Sequence, residues 1–153
     1  MNLKLSFSLI GLVVFALPMF INVAYVLFPP VGEVSSSVET TQWIEIVEKV
    51  SRIGYLVAIT FLISKVAINW QSPWLYLAVV FLLLYHIVWI RYFINGRNVV
   101  LLGTPFLFVP IPLAIFPVLY FLCAAIWLHN FPATVLMLIF GAAHLTISLQ
   151  SFH

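Results

Sequence analysis

The sequence predicts an all-α membrane protein, a bundle of about five transmembrane helices with a Pro-broken segment leading into the fourth. Three observations predict this class. The chain is 65% hydrophobic and only 7% charged, whereas a soluble domain carries about 25% charged residues. The stretch Asn98–His153 contains no Asp, Glu, Lys or Arg. Uncharged runs also separate Lys4 from Glu33 and Lys65 from Arg91, and each is long enough to cross a hydrocarbon core of about 30 Å as a helix.

Composition narrows the function classes. The net charge is +2 and basic residues do not cluster, which excludes the footprint of a nucleic-acid-binding protein. Cys123 is the only cysteine, so an internal disulfide or a thiolate metal site cannot form within one chain. We therefore treat residues 1–153 as one transmembrane helical domain whose partner is the lipid bilayer.

The first span is predicted at about 5–28. Its apolar run exceeds the roughly 7–15 residues of a signal-peptide core, so we expect an uncleaved helix. Small and polar residues share one face of it at 100° per residue: Ser8, Gly11, Phe15, Pro18, Asn22 and Tyr25. Such a face normally packs against other helices. Asn22 on this face either bonds a neighbouring helix, which we favour, or lines a polar pocket.

The second span is predicted to follow an amphipathic lead-in over 42–52, in a helix that begins near Thr40 or Thr41. In the lead-in, Glu45–Lys49 and Glu48–Arg52 have the i,i+4 spacing of helical ion pairs. We expect the helix to rest in the headgroup layer there and then to cross at about 53–70.

Three further spans are predicted at about 73–93, 111–129 and 132–152. The segment 98–111 between the third and fourth is apolar, but Gly103, Pro105 and Pro110 interrupt it. Irregular backbone at membrane depth survives only where protein covers it or water reaches it, and broken segments of this kind mark binding sites in some transporters. The segment is therefore either re-entrant or an apolar loop along the interface, and we favour the loop.

The basic residues suggest an orientation. With five spans, Lys4 and Lys65 lie on one side of the membrane. The other basic residues lie on the opposite side: Lys49, Arg52, Arg91 and Arg97. The positive-inside rule then predicts a multi-pass cell-membrane protein with its N-terminus outside and its C-terminus in the cytoplasm.

Two histidines, His86 and His144, fall inside predicted spans at similar depth. One interpretation, which we favour, is structural, since a neutral imidazole can hydrogen-bond two helices together. A second is a proton or ion path, although such a path normally needs a buried carboxylate and all four Glu lie between positions 33 and 48. A third is metal or haem ligation by the two rings, with Arg91 and Arg97 near haem propionates. If the two rings meet, their contributions to stability should be coupled.

The candidate polar residues within the membrane are thus His86, His144, Asn22 and Arg91, of which Arg91 more simply marks the end of a span. No catalytic constellation can be assembled from the sequence. We expect a small, non-enzymatic binding, transport or accessory subunit, acting as a homo-oligomer or with a partner membrane subunit and without a cofactor. The alternative is a membrane redox or metal protein with His86 and His144 as ligands.

Overall fold

A computed structural model describes residues 3–31 and 42–152, without the side chain of residue 152, as a bundle of helices. The predicted cap residues Thr40 and Thr41 lie outside the described residues. Five helices are long: α1 (Leu9–Leu27), α2 (Gln42–Phe61), α3 (Pro73–Ile94), α5 (Pro112–Trp127) and α6 (Phe131–Phe152). A short α4 (Val100–Gly103) precedes α5, and β1 (Leu3–Leu5) pairs antiparallel with β2 (Leu62–Ser64). The small sheet is an addition to the predicted all-α fold.

The outer surface of this bundle is apolar. Large hydrophobic side chains are exposed along every long helix except α5, for example Phe20 on α1, Val57 on α2 and Leu83 on α3. Soluble proteins rarely expose apolar surface of this extent to water. Three helices, α1, α3 and α6, are long and apolar enough to cross a membrane.

The long helices alternate in direction. Asn130, just before α6, bonds the last turn of α2, whereas His144, near the other end of α6, lies 3.0 Å from Glu48 near the start of α2. Helices α2 and α6 are therefore antiparallel neighbours. Similarly, Trp127 at the end of α5 donates to the Asn69 carbonyl ahead of α3 (2.9 Å).

The bundle consequently has two distinct ends. We call the end formed by β1, β2 and the turns 65–72 and 128–130 the strand end. The opposite end holds the start of α2 and the segment 91–111, and we call it the arginine end. Lys4 and Lys65 lie at the strand end, whereas Arg91 and Arg97 lie at the arginine end and Arg52 lies near the middle of α2.

Helix α2 ends earlier than the predicted span at 53–70. It stops at Phe61 because other groups take over the carbonyls of its last turn. The Ser8 N–H donates to the Thr60 carbonyl (2.7 Å) and the Ser6 N–H to the Phe61 carbonyl (3.0 Å). Asn130 Nδ2 donates to the carbonyls of Ala58 (2.8 Å) and Leu62 (2.7 Å).

The close packing of α1 on α2 depends on Gly11. A Cβ at this position would lie 1.9 Å from the Ile59 carbonyl oxygen, a distance that no side chain tolerates. Two turns further along the same face of α1, Pro18 has no N–H to donate to the Val14 carbonyl. The Tyr120 hydroxyl of α5 donates to that carbonyl instead (2.7 Å). Small and polar positions of the sequence-predicted face therefore join α1 to its neighbours.

The segment before α5 is irregular except for α4. Leu107 and Phe108 have positive φ angles of 48° and 66°, and Phe106 and Val109 exchange two backbone hydrogen bonds around them. Arg91 Nη1 donates to the Pro105 carbonyl (3.3 Å), which ties this segment to the end of α3.

Candidate functional site

A cavity of about 250 Å³ lies at the centre of the bundle. Each of the five long helices contributes side chains to its wall, which is mostly apolar and aromatic. The lining residues are Phe15, Met19, Asn22, Arg52, Tyr55, Tyr85, Trp89, Leu113, Pro117, Phe121, Met137, Phe140 and His144. An apolar cavity with a few polar groups is the usual form of a small-molecule site.

The first polar group of the central cavity joins α1 to α3. The Tyr85 hydroxyl donates to Asn22 Oδ1 (2.7 Å), and Asn22 Nδ2 lies 3.6 Å from the Met19 sulfur. A thioether is a weak acceptor, so the amide hydrogens of Asn22 are only weakly bound. The Asn22 face of α1, predicted from the spacing of small residues, is indeed turned inward, with Gly11 and Pro18 buried on it.

The second polar group joins α2 to α6. His144 Nδ1 lies 3.0 Å from Glu48 Oε1, and the two side chains are 29% and 13% exposed. The Phe140 ring stacks on the His144 ring, with centroids 4.9 Å apart and planes 15° apart. The predicted i,i+4 pair of Glu48 with Arg52 is therefore wrong, because Glu48 bonds across to α6; the other predicted pair, Glu45–Lys49, forms at 3.7 Å.

Arg52 brings a permanent positive charge to the wall of the cavity. It is exposed near the middle of α2, one turn along the helix from Glu48. Among the described residues that line the cavity it is the only Arg or Lys. Within residues 3–31 and 42–152 its guanidinium has no carboxylate within 4.0 Å.

The aromatic part of the wall includes a buried donor. Trp89 is 6% exposed, and its Nε1 has no hydrogen-bond partner among the described atoms. The Tyr85 and Trp89 rings meet edge to face, with centroids 6.3 Å apart.

A second cavity of about 220 Å³ adjoins the first. The two cavities share Trp89, Leu113 and His144. The second continues towards the arginine end, where Leu102 of α4 and Ile111 form part of its wall. The irregular segment before α5 therefore lies over this extension.

The structure separates the sequence-predicted candidates. Asn22 and His144 line the central cavity, but His86 and Arg91 do not. His86 Nδ1 lies 2.8 Å from the Leu82 carbonyl of its own helix. A hydrogen bond between His86 and His144, which the sequence left open, is not seen among the described residues, where the Nδ1 atom of each ring has a different partner.

Arg91 is bound to the irregular segment, with its guanidinium carbon 6.0 Å from the Phe106 ring centroid. This position agrees with the expectation that Arg91 marks the end of a membrane span. No group of three or more His, Cys, Asp or Glu that could hold a metal ion occurs within residues 3–31 and 42–152. Ligation by the two histidines alone, to a metal or to haem, stays a hypothesis.

Sequence reasoning missed Arg52, Tyr85 and Trp89 as wall residues. Arg52 was assigned to a surface ion pair, and the two aromatics look like ordinary membrane-belt residues. Only their positions in the folded bundle, where they line the cavity together with residues of α1 and α6, identify them.

A larger groove, about 320 Å³, runs between α1 and α3. Its wall is hydrocarbon and aromatic, for example Val13, Leu17 and Val79. The one hydroxyl in this wall, that of Tyr120, already donates to the Val14 carbonyl. The groove thus offers no group that could orient a ligand, and the central cavity remains the candidate site.

No protein-family model, no curated protein and no solved structure matches this chain. A function must therefore be inferred from the geometry of the cavity.

Proposed function

We propose that this chain is a small multi-pass membrane protein that binds a small molecule in its central cavity. It acts without catalysing a reaction, as a binding, transport or accessory subunit. The observation that carries the proposal is that all five long helices converge on one apolar cavity with polar groups towards the arginine end. Stability alone would favour a filled interior, since voids lose packing contacts.

We also propose that each of the five long helices crosses the membrane. Beyond α1, α3 and α6, helix α2 presents an apolar outer stripe that includes Val50, Ile53, Val57 and Phe61, all exposed. Helix α5 is only 16 residues long, but most of it is buried between its neighbours and needs no lipid-facing surface. The alternation of helix directions fits one crossing per long helix.

We further propose that the arginine end is cytoplasmic in the cell membrane. The positive-inside rule favours this orientation, since Arg91 and Arg97 lie at that end. The bilayer is then the partner of the apolar outer surface, and a second copy or another membrane subunit could cover part of it.

The redox or metal alternative has less support. His86 and His144 each have one ring nitrogen at hydrogen-bond distance from a different protein oxygen, that of Leu82 and that of Glu48 respectively. An absorption spectrum and metal analysis of the purified protein test it directly.

The binding proposal is tested by filling the cavity. Leu113 lines both cavities, so Leu113→Trp should occupy the space a ligand needs. Leu83→Trp is the matched control, because Leu83 is exposed on the outside of α3. We expect some members of a panel of small aromatic and aliphatic compounds to raise the melting temperature of the wild-type chain and of Leu83→Trp, but not of Leu113→Trp. A panel that stabilises no protein, or all three equally, would contradict binding in this cavity.

A further inference from the structure

We infer that the ligand is a small aromatic molecule that carries one negative charge, such as an aryl carboxylate, with its anionic end at Arg52. This inference rests on the proposed binding function and specifies the chemical class of its ligand. Three features of the central cavity support it: its size, its aromatic wall and the position of its cation.

The size of the cavity suits a small ligand built on a single ring. A volume of about 250 Å³ is roughly eight times the share of one water in the liquid, about 30 Å³. It lies below the range of about 300–1,000 Å³ for drug-sized ligands. A single ring with a short side chain fits this space.

The wall favours an aromatic ring. Phe15 and Phe121 stack with centroids 5.8 Å apart, and Trp89 and Phe140 complete the aromatic surface. Aromatic pairs gain free energy beyond the area they bury when they stack or meet edge to face. A planar ring inserted among these side chains makes such contacts on several sides.

The cation selects the charge of the ligand. The natural partner of Arg52 would be Glu48 one turn away, but Glu48 is held by His144 at 3.0 Å. Among the described residues no carboxylate lies within 4.0 Å of the Arg52 guanidinium, so its fork is available. Planar guanidinium binds a carboxylate through two parallel hydrogen bonds.

The exposure of Arg52 sets the orientation of the ligand. Arg52 lies near the middle of α2 and its side chain is exposed, whereas the aromatic wall residues Trp89, Phe121 and Phe140 are buried. A charged group is costly in an apolar interior. The carboxylate therefore stays at the exposed guanidinium of Arg52, while the ring enters the cavity among the buried aromatic side chains.

The test measures the affinities of three matched probes for the purified full chain by calorimetry. The probes are phenylacetate, phenylacetamide and phenethylamine, which share a ring and differ in charge. We expect phenylacetate to bind at least about tenfold more tightly than the other two, as one charge-assisted contact implies. Raising the salt concentration should weaken phenylacetate binding alone, because salt screens an exposed charge pair.

Two variants locate the charge. Arg52→Gln should lower phenylacetate affinity about tenfold and leave phenylacetamide unchanged. Lys49→Gln removes the same charge from the same helix, but Lys49 is exposed and pairs with Glu45 away from the cavity, so it should change neither affinity. Both substitutions are at exposed positions and should leave folding intact.

The outcomes separate the two proposals. If the neutral or cationic probe binds as tightly as phenylacetate, or if Arg52→Gln has no effect, the anionic class is overturned while cavity binding stands. If Lys49→Gln weakens phenylacetate as much as Arg52→Gln, the effect is general surface charge and the assignment to Arg52 is overturned. If none of the probes binds the wild-type chain, the single-ring anion is overturned, and the wider panel tested on Leu113→Trp decides the binding function.

Discussion

Replacing Asn130 tests how the strand end of the bundle is held together. Asn130 is 2% exposed, and its side chain serves two helices at once. Nδ2 donates to the carbonyls of Ala58 and Leu62 at the end of α2, while Oδ1 accepts from the Ala133 N–H in the first turn of α6 (3.0 Å). Asn130→Ala removes all three bonds, whereas Asn130→Asp keeps only the last.

The size of the effect follows from these contacts. Loss of a helix cap costs about 1 kcal/mol, and each buried group left without a partner costs about 1–3 kcal/mol. Bonds between membrane helices average near the low end of such values. We therefore expect Asn130→Ala to lower the free energy of unfolding by about 2–4 kcal/mol. Asn130→Asp should cost at least as much, because it places a carboxylate against two carbonyl oxygens.

The assay is thermal unfolding of the purified protein, followed by tryptophan fluorescence. For a chain of this length the expected loss corresponds to a fall in melting temperature of about 4–15 °C. Asn95→Ala is the matched control: Asn95 Nδ2 also donates to a carbonyl at the end of a helix, that of Arg91 (2.7 Å), but it is exposed. Water replaces that bond, so the control should stay within about 0.5 kcal/mol of wild type.

The two variants at Asn130 can refute the reasoning. If Asn130→Asp is as stable as wild type, then capping of α6 is the whole contribution, and the bonds to the end of α2 are energetically irrelevant. A loss in Asn95→Ala equal to that in Asn130→Ala would show that burial does not decide the cost.

Two further predictions concern the other end of the bundle and the membrane itself. In double-mutant cycles of thermal stability, replacing His144 and Glu48 by Ala should be coupled by about 0.5–3 kcal/mol, whereas replacing His144 and His86 should be additive within about 0.5 kcal/mol. If His144 is coupled to His86 but not to Glu48, the hydrogen-bond partners found in the structure are contradicted. Single cysteines in a cysteine-free background test the crossings at four exposed positions: Gln42 and Asn95 at the arginine end, Gln71 and His129 at the strand end. Five crossings with the N-terminus outside require the first two to label only from the cytoplasm and the last two only from outside; labelling of Gln42 and Gln71 from one side would exclude a crossing by α2.

The positions of the apolar helices could be read from the sequence. Uncharged runs and the prolines at 73 and 112 locate α3 and α5, because hydropathy and the missing proline N–H act locally along the chain. The inward face of α1 could be predicted for the same reason: the spacing of Gly11, Pro18 and Asn22 fixes one side of a helix wherever that helix packs.

The end of α2 could not be predicted in this way. The apolar sequence continues past Phe61, and nothing local stops the helix. The chain turns there because Asn130 and the N–H groups of Ser6 and Ser8 supply partners for its last carbonyls, and these groups come from distant parts of the sequence.

The composition of the cavity was likewise decided by tertiary structure. The spacing of Glu48 and Arg52 favours a pair on one helix, yet Glu48 bonds His144, 96 residues away. His86 and His144 look alike in sequence, but only His144 lines the cavity. The periodicity of a single helix determines which of its residues share a side. The rotation of that helix about its own axis, relative to its neighbours, determines which side faces the cavity. That rotation is set by the packing of all five long helices together, and so Arg52, Tyr85 and Trp89 could be assigned to the site only from the folded bundle.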